Sequence, residues 1–175
     1  MLSKIAIAVV LVIAGVLAYA ATRPDTLRVE RAATIKAPPE KIFPLINDFH
    51  AWTGWSPWER MDPGMQRTYA GAPSGTGAVY AWDGDRNVGK GRMEIVESTP
   101  PSRVAVKLDF EKPFEGHNVA EFTLAPAGDS TNVRWAMRGE NRFIGKLIGV
   151  FVSMDRMIGG QFETGLANLK ALAEK

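Results

Sequence analysis

Cysteine is absent from this 175-residue chain, and histidine occurs only twice, at His50 and His117. The missing cysteines exclude thiol nucleophiles, thiolate zinc sites and disulfides together. They do not select a compartment, because a domain of this size is stable in either redox state. Neither histidine belongs to an H-x-x-x-H spacing, so no metal site is expected, and nothing implies a cofactor. G-x-S-x-G is also missing, which leaves Ser56 and Ser153 without the elbow that makes serine a nucleophile. Gly75-Thr76-Gly77 and Gly89-Lys90-Gly91 lack the Walker and dinucleotide-binding spacings and read as turn or bulge glycines. Charge of one sign is scarce too. Lys and Arg number 21 against 19 Asp and Glu, a formal net charge of +2. No basic run tracks a phosphate backbone, so nucleic acid is not an expected partner.

What is present is apolar and aromatic. Hydrophobic residues make up 46% and charged residues 23%, which is a globular composition. The length allows one domain and a short appendage. That appendage is the uncharged run Ile5 to Ala21, which as a helix reaches roughly 25 Å, at the short end of a bilayer span. Arg23-Pro24-Asp25 ends it. Two readings stand for this run. One is a permanent single-pass anchor, favoured because Lys4 alone fills the basic leader and the apolar run is long. The other is a cleaved signal segment with Ala18-Tyr19-Ala20 as its small-x-small site. The side of the membrane is undetermined. Arg23, Arg28, Arg31 and Lys36 after the run argue for a cytoplasmic domain, and a short basic start argues for export. The expected division is an anchor over 1–22, a linker over 23–26 and a folded domain over 27–175.

Within the domain, Leu27–Ile35 alternates as a strand, and Pro38-Pro39-Glu40 opens a short helix that ends near Asn47-Asp48. Phe49–Trp58 is too broken for a long helix and reads as a second short helix or a turn and loop. From Gln66 to Arg138, six strands are spaced by turn signals as an antiparallel meander. Val104, Val106, Leu108 and Phe110 share one strand face. Ala120, Phe122 and Leu124 share another, and Val133, Trp135 and Met137 a third. A sheet with one apolar face needs a cover. Apolar residues from Ile144 to Leu172, at steps of three and four, predict one long helix over roughly Gly145–Glu174 for that purpose. Gly159-Gly160 marks either a kink in it or a close approach to the sheet.

Four stretches carry a family likeness: APPEKIFPLINDFHAWTGWSPWE at 37–59, GTGAVYAWDG at 75–84, VGKGRMEIVESTPPSRVAVKLDFEKPFEG at 88–116 and GQFETGLANLKALAE at 160–174. They resemble the START-like SRPBCC superfamily, in its polyketide cyclase/dehydrase branch, over Leu27 to Glu174. The resemblance implies an α+β helix-grip fold: a curved antiparallel sheet of about seven strands wrapped on a long C-terminal helix, with two short helices after the first strand. It also implies a hydrophobic cavity between sheet and helix, which members use for lipids, sterols, polyketides, hormones or aromatic substrates. Fold alone does not choose among these.

Alternation and helical spacing nominate cavity-lining residues: Tyr80, Trp82, Met93, Val106, Leu108, Phe110, Phe122, Trp135, Met137, Met154, Met157, Ile158 and Phe162. Large apolar and methionine side chains suit a greasy ligand, and equally suit a packed core. The polar candidates are His117, Asp83 and Asp155, although a surface ion pair with an arginine is the favoured reading of Asp155. Glu59, Glu94 and Glu121 are further carboxylates of interest, the last two on wet faces. Three functions follow. The first is a membrane-tethered binder of a hydrophobic small molecule or lipid. The second is a cyclase-type enzyme in which His117, Asp83, Tyr80 or Asp155 faces the cavity. The third is a ligand-free interaction domain that presents Trp52, Trp55 and Trp58 on an exposed loop. Oligomeric state is not legible.

Overall fold

A computed structural model describes residues 2–175. Helix α1 (Leu2–Ala21) leads into strand β1 (Thr26–Ile35), helix α2 (Pro39–Asn47), a 3-10 turn (Phe49–Gly54) and the four-residue helix α3 (Trp58–Met61). Strands β2 (Gln66–Gly71), β3 (Ala78–Asp83), β4 (Lys90–Thr99), β5 (Arg103–Lys112), β6 (Gly116–Ala127) and β7 (Ser130–Glu140) follow. Helices α4 (Phe143–Phe151) and α5 (Met154–Ala173) complete the order.

The seven strands form one antiparallel sheet in the order β1-β7-β6-β5-β4-β3-β2. This is the expected α+β helix-grip architecture. Sequential hairpins build β2 to β7, and β7 returns to pair with β1. Gly128, at φ +66°, opens the two-residue turn between β6 and β7, a backbone that glycine adopts without strain. Register shifts between Ile95 and Glu97 and between Lys90 and Gly91 interrupt the β4–β5 ladder. Such bulges bend a sheet and sharpen its twist.

The C-terminal helix is long, as expected, and its start is a correction. The chain breaks at Val152-Ser153 into two helices instead of running through. Val152 is extended at φ −125° and ψ 126°, and the Ser153 side chain accepts a hydrogen bond from the Arg156 amide at 3.2 Å as the N-cap of α5. Asp155 in the first turn suits the positive end of the α5 dipole. The apolar spacing that continues from α4 into α5 is real, but the two helices serve different partners. Helix α4 packs against α1, and α5 packs chiefly along β1. The helix α5 passes through Gly159-Gly160 without a break, so of the two expectations for that pair the close approach holds. A Cβ on Gly159 would stand 2.1 Å from the Arg31 guanidinium.

The Trp-rich segment is a second correction. Trp52 and Trp55 are buried, not displayed. The reason lies in α2, whose last carbonyls have no partner within the helix. Trp52 Nε1 donates to the Ile46 carbonyl at 2.9 Å, and Trp55 Nε1 donates to the Leu45 carbonyl at 2.8 Å. Asn168 on α5 donates to the Trp55 carbonyl at 3.0 Å. The aromatic loop thus closes the end of α2 and plugs the grip.

Candidate functional site

Strand register arranges the inward side chains of the sheet in rows. One row is Arg31, Trp135, Phe122 and Val104, and the next is Val29, Met137, Ala120, Val106 and Ile95. Apart from Arg31, these are buried. Phe162 of α5 stacks on Trp135 with ring centroids 4.0 Å apart and planes 7° apart, and Trp135 stacks on Phe122 at 4.8 Å. Trp55 meets Trp135 edge-on at 5.6 Å. Aromatic contacts of this kind supply both buried area and fixed geometry. Trp135 Nε1 is buried without a hydrogen-bond partner, enclosed by rings instead of oxygens. The half of the grip remote from α1 thus buries five of the nominated residues in one cluster: Val106, Phe122, Trp135, Met137 and Phe162.

Toward α1 the packing loosens. The following row runs Leu27, Gly139, Asn118, Leu108, Met93 and Tyr80 across six strands. All of it except Tyr80 is only half-buried. The last row holds Phe110 opposite Gly91, and Gly91 opposite Trp82. Asn118 was not anticipated. It occupies an inward position on β6, and a Cβ at Gly139 would stand 1.9 Å from its Oδ1. The carboxamide thus lies over the glycine, a polar group on an otherwise apolar surface. The signal was available, since Asn118 continues the inward alternation of Ala120, Phe122 and Leu124.

At the β1 edge this row meets a cleft of about 430 Å³. Leu27, Val150, Phe151, Val152 and Met154 give it apolar walls, Arg23 and Arg28 give it positive charge, and Lys146 and Asp155 line it as the ion-pair partners of Asp25 and Arg31. Its volume lies in the range of small-molecule sites, ≈ 300–1,000 Å³. Arg23 donates to the Gly149 carbonyl at 3.3 Å, and Lys146 pairs with Asp25. Both contacts tie α4 to the segment that follows α1. A smaller recess of about 140 Å³ lies at the opposite edge of the sheet, among Phe49, His50, Tyr69 and Val79. His50 stacks on Tyr69 there at 4.1 Å.

The remaining nominated residues divide as follows. Met154 lines the cleft, Ile158 is half-buried against the core, and Met157 is 52% exposed. His117 is exposed, and its Nδ1 lies 2.7 Å from Asp109. Asp83 is exposed and 3.4 Å from Lys90 Nζ. Asp155 lines the cleft and makes the arginine pair favoured for it. Arg31 donates to both of its carboxylate oxygens at 3.0 Å and to Glu163 at 2.6 Å. The Arg31 hydrogen bond holds the Asp155 carboxyl below its ordinary pKa. Arg31 itself is an inward residue of β1, and it clamps the start of α5 to the sheet.

Tyr80 is the one nominated acid–base group that is buried on the inner face. Its hydroxyl donates to Glu59 Oε1 at 2.6 Å, and Arg67 donates to Glu59 Oε2 at 2.6 Å. Burial first, and then the bond to Glu59, raise the Tyr80 pKa far above that of a free phenol. Tyr80 thus stays protonated and engaged, and Glu59 pins α3 to β2 and β3. Glu121 faces outward as expected but is nearly covered. The Arg103 hydrogen bond, at 2.6 Å, lowers its pKa, and Arg138 and Arg134 stand farther off at 3.4 and 3.8 Å. Among the described residues no cluster of His, Cys, Asp and Glu is arranged to hold a metal ion.

The sequence profile of a family described as polyketide cyclase / dehydrase and lipid transport matches residues 26–174. Among solved structures, a protein from Chromobacterium violaceum is 19% identical, with a TM-score of 0.61, covering 87% of this chain and 99% of its own. The Aha1 dimer from Colwellia psychrerythraea is 17% identical, with a TM-score of 0.56, covering 85% of this chain and 96% of its own. DynU16, a protein of the dynemicin biosynthetic locus, is 15% identical, with a TM-score of 0.57, covering 87% of this chain and 48% of its own. At these identities the likeness is one of fold. No curated protein matches the sequence.

Proposed function

The chain belongs to the polyketide cyclase / dehydrase and lipid transport family, and on that footing we propose that it is a membrane-tethered binder of a lipid-like ligand. The observation that carries this reading is the cleft of about 430 Å³ just past the end of α1, with apolar walls and the basic side chains of Arg23 and Arg28 at its rim. Helix α1 is long and apolar enough to cross a bilayer, a test that a signal sequence also passes. A molecule dissolved in that bilayer would be concentrated at the cleft. An amphiphile fits both halves of it. Arg23 and Arg28 receive a phosphate or carboxylate head, and Leu27 starts a half-buried row along which a hydrocarbon tail continues over Gly139, Leu108 and Met93. Asn118 offers that row one hydrogen-bonding group. In this reading the apolar lining provides affinity and the few polar groups fix orientation.

The cyclase reading would need a free acid or base beside the ligand. Its nominated groups are each already paired: Tyr80 with Glu59, Asp155, which lines the cleft, with Arg31, Asp83 with Lys90 and His117 with Asp109. The interaction reading would need the tryptophans outside, and Trp52 and Trp55 are in the core.

Native mass spectrometry of the full chain extracted in mild detergent, with lipid analysis of what accompanies it, tests the proposal. A stoichiometric amphiphile that is lost in Arg28→Glu and Met154→Glu is the expected result. Arg28 is largely exposed and Met154 half-buried, so neither change removes a core contact. A protein that emerges empty and takes up no phospholipid, fatty acid or sterol from a panel would overturn it.

A further inference from the structure

Helix α4 has no apparent reason to be where it is, if the protein is only a grip domain on a tether. Its sequence FIGKLIGVF carries no acid, and none of its residues is buried. Phe143, Ile144, Phe151 and the following Val152 are 48, 57, 73 and 43% exposed. Large side chains this open, and this close together, mark a surface made to be covered. The one charge on α4, Lys146, is mostly covered and neutralised by Asp25. The helix lies against α1, where Ala20 is fully buried, so its exposed apolar side chains neighbour those of α1.

The register places other features at the same end of the sheet. Phe110 opposes Gly116, so the β5–β6 hairpin projects there, with Phe114 at 57% exposure. Arg23, Arg28 and Arg142 also lie around the junction of β1, β7 and α4, where lipid phosphates would lie if α1 spans the membrane. The acids of this end are Asp25, which pairs with Lys146, Asp83 and Glu111, which pair with Lys90, Asp109, which pairs with His117, Glu140, which pairs with Arg142, Asp155, which pairs with Arg31, and Glu115 at the hairpin.

We propose that α4 is a second membrane element, lying in the bilayer interface beside α1 with Phe143, Ile144, Phe151 and Val152 among the acyl chains. Helices of this kind bind through buried apolar area and basic flanks. The two helices together fix the domain against the bilayer and hold the cleft, which lies between α4 and the start of β1, at the level of the lipid head groups. A single tether would leave the domain free to swivel. This inference rests on the reading of α1 as a membrane anchor, and the test separates the two.

The absence of cysteine makes single-cysteine labelling clean. Ile13→Cys in α1, Phe151→Cys at the end of α4 and Val96→Cys on the far side of the sheet are each labelled with bimane. The full chain is then reconstituted in vesicles of phosphatidylcholine and phosphatidylglycerol that carry brominated acyl chains. All three positions are exposed in the protein, so the substitutions spare the fold. The expected result is lipid quenching at Phe151→Cys close to that at Ile13→Cys and several-fold above that at Val96→Cys, with weak quenching by aqueous iodide. Lipid quenching at Ile13→Cys but iodide quenching at Phe151→Cys would overturn the α4 proposal and leave the anchor standing. No lipid quenching at either would remove both. A Phe151→Cys label reached by neither quencher would mean a protein cover, which also overturns the proposal.

Discussion

Gly160 and Gly165 stand on the same helix and meet opposite surroundings. A Cβ at Gly165 would lie 2.8 Å from the Trp135 ring and 3.2 Å from Pro57, whereas one at Gly160 would meet nothing within 4 Å. Trp135 cannot retreat, because Phe162 and Phe122 stack on it. Helix propensity favours alanine over glycine by ~1 kcal/mol at either site. At Gly160 that preference acts alone, so Gly160→Ala should stabilise the protein by roughly 0.5–1 kcal/mol. At Gly165 overpacking of ~1–3 kcal/mol outweighs it, so Gly165→Ala should destabilise. Urea unfolding of the two variants in the same detergent checks both signs. Equal stabilisation would mean that α5 stands farther from Trp135 than its stacking distance allows. Asn118 belongs to the same scale. The alternation of Ala120, Phe122 and Leu124 extends to it, and its pairing with Leu108 and Gly139 places it on the concave surface.

Elements were legible wherever their two faces met different solvents. Strands β1, β5, β6 and β7 follow from alternation, because each has a wet and a dry side and a one-residue slip would expose the dry one, whereas turn signals delimit β2, β3 and β4, and β2 has no buried residue. The fold followed from those strands and from the family likeness of the segments 37–59 and 88–116. The helix break at Ser153 was not read, because the apolar steps of Phe151, Met154 and Ile158 span it. Its cap was in the sequence all the same: Ser153 with Asp155 two residues on is an N-terminal pattern. The tryptophan loop was misjudged for a different reason. Turn-rich sequence suggests surface, but indole N–H groups that close orphan carbonyls draw the loop inward. Trp55 is fully buried and hydrogen-bonded to Leu45. Trp55→Ala should therefore cost ~3–5 kcal/mol through the cavity and the lost α2 closure. Thermal unfolding measures this. A variant as stable as the parent would restore the loop to the surface and revive an interaction role.

Across the whole molecule, stability and membrane engagement lie at opposite ends of the grip. The remote end holds the stacked rings of Phe122, Trp135 and Phe162, and the end beside α1 holds a half-open row, a cleft and a helix without a buried residue. Apolar area removed from water stabilises in proportion to its extent, so the remote end should carry the global free energy of unfolding. Phe162→Ala deletes a ring that is 2% exposed and stacked at 4.0 Å, and should lower stability by ~3–5 kcal/mol. Phe151→Ala removes a ring of the same size that is 73% exposed, and should change stability in detergent by less than ~0.5 kcal/mol. Both are read by urea unfolding followed through the fluorescence of the five tryptophans, all of which lie in the grip domain. In vesicles the order should reverse for lipid contact. Phe162→Ala should leave the depth of a bimane at Phe151→Cys unaltered as long as the protein is folded, because no stacked core residue touches the bilayer. A large loss of stability for Phe151→Ala in detergent would mean that α4 is part of the hydrophobic core. The separation of a rigid end from a membrane-facing end would then be wrong.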